Sequence, residues 1–117
     1  MPSIRDVVQA LNKRNGVESV LVLGRDGLPI DSATHDALDA DGVAALIPSV
    51  VGATEKLNQS ARQGQFRQAV VETDSGYVII NAVTSDTLLA LFIRPDTNVG
   101  SLLFELRRYG SAIAGLL

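Results

Sequence analysis

With 117 residues, 46% of them hydrophobic and 20% charged, the chain has the material for one globular core and not two. A net charge of −3 and only 4% aromatic residues exclude nucleic acid as the main partner, because phosphate neutralisation needs clustered Lys and Arg and single-stranded bases need aromatic platforms. The lack of cysteine excludes disulfides, thiolate metal sites and a Cys nucleophile.

The opening residues Met1 to Asp6 carry charge where a signal peptide would need its apolar stretch. Gly42 to Thr54, the longest uncharged run, is too short and too rich in small residues to span a bilayer, so no direct membrane insertion is expected and a cytoplasmic protein is. No linker, repeat or low-complexity segment interrupts residues 1–117, which read as one domain.

In chain order, Ser3 and Asp6 open a first helix whose apolar stripe is Ile4, Val7, Val8 and Leu11, and Asn15-Gly16 closes it. Val17–Gly24 reads as a strand, Asp26-Gly27 as a hairpin turn and Leu28–Ser32 as the returning strand. From Asp41 to Gln63 the period is helical, with Val43, Leu46, Ile47, Val50, Thr54, Leu57 and Ala61 expected in the core and Gly64 as the stop. Pro48 predicts a kink or an irregular first turn. Three strands follow as a meander, Phe66–Thr73, Tyr77–Val83 and Thr87–Ile93. Thr97 or Asn98 then caps a last helix with Val99, Leu102, Leu103, Leu106, Gly110, Ile113 and Leu117 inward. The order α-β-β-α-β-β-β-α makes an α/β protein of the α+β sandwich kind, a five-stranded antiparallel sheet with helices on its faces.

Candidate chemistry is sparse. His35, the one histidine, stands among Asp31, Asp36, Asp39 and Asp41, but an exposed strand-to-helix loop with Asp41 as cap and dipole partner accounts for these residues. Neither EF-hand spacing nor a zinc ligand set is present. Gly24-Arg25-Asp26-Gly27 lacks the pattern of a phosphate loop, and no nucleophile elbow occurs. No catalytic, cofactor or metal site is therefore assigned, and a non-catalytic binding protein is expected.

The back of the central helix is the positive signal. Opposite the expected core stripe lie Ala45, Pro48, Ser49 and Gly52, with Val51 and Ala44 flanking and Lys56 further along, where a surface helix normally carries charge. Such a bare strip lets another backbone approach closely and reads as a partner-binding surface. Tolerance of Ala and Ser anywhere on a helix, with Gly52 easing strain at Pro48, is the alternative. The strand carrying Phe66, Gln68, Val70 and Glu72 is a candidate edge for pairing with an identical chain, or else an edge protected by Arg67 and Gln68.

The run Val20-Leu21-Val22-Leu23-Gly24-Arg25-Asp26-Gly27-Leu28-Pro29-Ile30 resembles the Roadblock / dynein light-chain family. So do the small-residue helix ending at Gly64, Tyr77-Val78-Ile79-Ile80 and Gly100-Ser101-Leu102-Leu103. The resemblance implies a Roadblock/profilin-like fold and a homodimer with one continuous sheet and adjacent central helices. It further implies, from the bacterial gliding-motility members, a small Ras-like GTPase as partner, bound in its GTP form and stimulated to hydrolyse GTP without an inserted arginine finger. By that likeness Ala45, Ser49 and Gly52 lead the contact, with Val51 and Lys56 behind them. Eukaryotic members imply the other reading, a non-catalytic adaptor or scaffold subunit.

Overall fold

The computed structural model describes residues 3–35 and 37–116, and of Tyr109 only the backbone. Asp36 and Leu117 fall outside those residues. Helix α1 (Ile4–Asn12) starts on a capping box. The Ser3 hydroxyl accepts the Asp6 N–H at 3.2 Å, and the Asp6 carboxylate accepts the Ser3 N–H at 2.9 Å, satisfying two donors that the first helical turn leaves free. Hydrogen bonding from the Ser3 backbone N–H, and secondly from the Ser3 hydroxyl, to the Asp6 carboxylate holds that carboxyl below its ordinary pKa.

Strands β1 (Val17–Gly24) and β2 (Pro29–Ala33) pair as an antiparallel hairpin with an irregularity beside Leu23. Helix α2 (Ala40–Ser60) follows, then β3 (Gln68–Thr73), β4 (Gly76–Ala82), β5 (Thr87–Ile93) and α3 (Val99–Ala114). All pairings are antiparallel, in the order β2-β1-β5-β4-β3. Strands β1 and β5 are central and read as near-continuous apolar runs because both of their faces are covered. Strands β2 and β3 are the edges.

Alternation along the strands divides the core in two. Val20, Val22, Ile79, Leu89 and Leu91 point to one face, where Val8 and Leu11 of α1 and Leu102, Leu106 and Ile113 of α3 cover them. Leu21, Leu23, Ile80, Leu88 and Ala90 point to the other, beneath Ala44, Ile47 and Val51 of α2. The protein is thus a five-stranded antiparallel α+β sandwich, two helices on one face and one on the other. No helix among the described residues is long and apolar enough to cross a membrane.

Several local expectations are corrected. Asp39, not Asp41, is the N-cap of α2, its carboxylate accepting the Gly42 N–H at 3.2 Å, while Asp41 sits in the first turn. Pro48 lies inside the continuous helix and does not end it, in agreement with its reading as a local irregularity and not a break. The helix ends before Gly64: Gln63 N–H bonds the Asn58 carbonyl at 2.9 Å and Arg62 N–H the Gln59 carbonyl at 3.2 Å, a Schellman arrangement that needs a left-handed residue after the cap. Arg62 takes that conformation, with φ of 58°. Strand β3 begins at Gln68 because Phe66 turns inward and is buried under α2.

Candidate interaction surface

At 100° per residue, Ala44, Ile47 and Val51 define the inward side of α2. Leu46, Val50 and Leu57, expected in the core, lie instead about 120° round the helix from that side. They remain 69%, 39% and 66% exposed. With Ala53 they repeat at i, i+4, i+7 and i+11, the spacing of a helix–helix seam. Expectation and structure part because the apolar positions of α2 span about half its circumference, more than one sheet face can cover. That excess breadth was the available signal, and reading it as one wide stripe rotated the expected core away from the true one.

The small-residue strip is placed more finely. Ala45, Ser49 and Lys56 are exposed on the outer face, while Gly52 and Pro48 are half-buried. Val51 and Ala44 are buried and do not flank the strip. Part of the reason for small residues here is internal. The Asp26-Gly27 turn lies against α2: a Cβ on Gly27, whose φ is +87°, would stand 3.4 Å from the Ala44 carbonyl oxygen, 3.4 Å from the Ala45 Cα and 3.5 Å from the Pro48 ring. The Arg25 guanidinium continues this contact to the Glu55 carboxylate at 3.1 Å. Pro48 therefore packs against the hairpin. Around Gly52 the space is open, with nothing within 4 Å of an added Cβ. Ala45, Ser49 and Lys56 are exposed on one side of the helix with the half-buried Gly52 among them, beside the Leu46–Val50–Leu57 row.

Strand β3 pairs on one side only, with Gln68 against Asn81, Ala69 against Ile80, Val70 against Ile79, Val71 against Val78 and Glu72 against Tyr77. Its partners show that Ala69 and Val71 share the α2 face and Gln68 and Val70 the α1/α3 face. Val70 and Val71 are 43% and 41% exposed, so the free edge carries an uncovered valine on each face. Of the edge residues expected from sequence, Gln68, Val70 and Glu72 lie in the strand and Phe66 does not.

The acidic loop near His35 is occupied with local structure. His35 Nδ1 accepts the Ala37 N–H at 3.3 Å and its Nε2 stands 3.7 Å from Glu18. Asp31 pairs with Arg5 at 2.8 Å, and Asp39 caps α2. Among the described residues no three His, Cys, Asp or Glu side chains are grouped to hold a metal ion.

Comparison with known proteins places this arrangement. An uncharacterized protein of Methanocaldococcus jannaschii is 26% identical over 110 residues, covering 94% of this chain and 96% of the relative. A Roadblock/LC7 domain from Streptomyces avermitilis superposes with a TM-score of 0.85 at 24% identity, covering 96% of this chain and 95% of that one. Myxococcus xanthus MglB superposes with a TM-score of 0.89 at 19% identity, covering 97% and 93% respectively. The sequence profile of the Roadblock/LC7 domain matches residues 4–92, from α1 through β5. The chain belongs to the Roadblock/LC7 domain family.

Proposed function

We propose that the protein is a homodimeric regulator of a small Ras-like GTPase, binding the GTP form and stimulating hydrolysis without an arginine finger. The observation that carries this reading is the pair of adjacent unpartnered surfaces on one side of the sheet. One is apolar, formed by Leu46, Val50 and Leu57 of α2 with Val71 of the free β3 edge, and suits a second copy. The other is small and uncharged, formed by Ala45, Ser49 and Gly52, and suits the close approach of a different protein.

Each exposed leucine gains about 1.5–3 kcal/mol on full burial, so a symmetric contact using four of them offsets much of the cost of association. Pairing β3 with β3 about a two-fold axis satisfies the free edge and extends the sheet across both copies. Two α2 helices then lie side by side and present a doubled strip of small residues. Lys56 stands along that strip as a point charge without the planar fork of arginine. By the family resemblance, acceleration proceeds through reordering of the GTPase's own catalytic groups.

The test is single-turnover GTP hydrolysis by a cognate GTPase with and without this protein. Stimulation is expected, together with tighter binding to the GTP form than to the GDP form. Ala45→Glu or Ser49→Arg should abolish both effects without changing the circular dichroism or the mass of the protein. Binding that ignores the nucleotide, or that leaves turnover unchanged, rejects the regulator and favours a scaffold.

A further inference from the structure

On the opposite face of the sheet from α2, a groove of about 670 Å³ separates α3 from the β3–β4 ladder. Gln68 and Asn81, directly paired across the ladder, form its floor, with Val83 beside them just beyond β4. Its wall is one flank of α3, where Gly110 and Ser111 leave the helix narrow. An added Cβ on Gly110 meets nothing within 4 Å, so the missing side chain is not demanded by the fold. A glycine in a helix interior lowers helix stability, and here the intramolecular packing supplies no reason for it.

Charge gives the groove its character. Arg67 at the start of the ladder and Arg107 on α3 both line it, and no carboxylate does among the described residues. Neither arginine takes part in an ion pair among those residues, in contrast to Arg5, Arg14, Arg25 and Arg94. The groove is thus locally basic in a chain whose net charge is −3. We infer that this groove docks an acidic amphipathic segment of a partner protein, its carboxylates on Arg67 and Arg107 and its apolar side chains over Gly110 and Ala114. Arginine suits that task because its fork binds carboxylate in two parallel hydrogen bonds. The site is distinct from the α2 strip and does not depend on the GTPase reading.

The test uses the full chain and a fluorescein-labelled peptide of alternating leucine and glutamate, followed by fluorescence anisotropy, with lysine replacing glutamate in the control. Saturable binding of the acidic peptide is expected, weakening as salt is raised. The Arg67→Glu/Arg107→Glu double variant should lose about tenfold in affinity or more. Gly110→Leu, which keeps both arginines and fills the trough, should lose a similar factor with unchanged circular dichroism. Equal binding of the lysine peptide, no saturable binding of the acidic one, or indifference to the arginine reversal would overturn the proposal. Displacement of the peptide by millimolar inorganic phosphate would also overturn it, by showing a simple anion site, and tighter binding of an oligo-dT strand would do so by showing a nucleic-acid groove.

Discussion

Arg62 shows at a single residue how a local rule and the wider structure compete. The Schellman ending of α2 calls for a left-handed residue, and glycine meets that need without steric cost. Here an arginine does so at φ 58°, while glycine stands two positions later. Replacing Arg62 by glycine should stabilise the chain by about 0.5–1 kcal/mol, set against the extra backbone freedom glycine brings to the unfolded state. Urea denaturation at constant m-value measures it, and a fall in midpoint would show that the Arg62 side chain is itself a stabilising contact. The reverse logic holds at Gly27, where positive φ coincides with close approach to α2. The Asp-Gly pair announced that turn in the sequence. Nothing local announced Arg62, because the ending of a helix depends on which carbonyls the following chain can reach.

At the level of elements, β1 and β5 were legible to the residue, since both are long Val/Leu runs bounded by glycine, threonine or proline. Strand β3 was legible as a strand but not in its start, since Phe66 has strand propensity and its burial under α2 is a tertiary fact. Its free edge also restricts how a second copy can pair. Residues directly opposite must share a face, so an antiparallel two-fold pairing centres on one residue. Centring on Val70 sets Ala69 against Val71 and Gln68 against Glu72, like with like. Centring on Val71 sets Val70 against Glu72 and Gln68 against Asp74, burying an apolar side chain beside a carboxylate. The first register is preferred. As the native sequence has no cysteine, Val70→Cys should give a single intermolecular disulfide on mild oxidation, the opposed Cα atoms lying about 4.5–5.5 Å apart. Non-reducing electrophoresis reads the result, and cross-linking by Val71→Cys in its place would reject this register.

For the whole molecule, the deciding quantity is how much apolar surface the monomer leaves uncovered. The row on α2 and Val71 of the β3 edge share one face of the sheet, and a second copy can cover them together. Leu46→Glu/Leu57→Glu should therefore convert a dimer to a folded monomer by light scattering. Loss of the four leucine contacts in a symmetric interface weakens association by several kcal/mol, since about 1.5–3 kcal/mol attaches to each buried side chain. A wild-type mass equal to one chain at micromolar concentration would remove the homodimer, and a double variant that kept the wild-type dimer mass would move the interface elsewhere.

The feature singled out from sequence, a helix back without charge, thus divides into three parts. Pro48 supports the hairpin turn, Val51 belongs to the core, and Ala45, Ser49 and Gly52 remain at the surface. By itself the sequence determined the order of elements, the central strands, the hairpin turn and the family, because these follow from short-range periodicity and turn chemistry. Only the tertiary structure decided which side of α2 faces the sheet, where α2 ends, and that Arg67 and Arg107 share a groove. Helical periodicity gives the width of an apolar stripe but not which part of it a sheet will cover. That is set by the direction in which the helix crosses the strands, a long-range property that no local window contains.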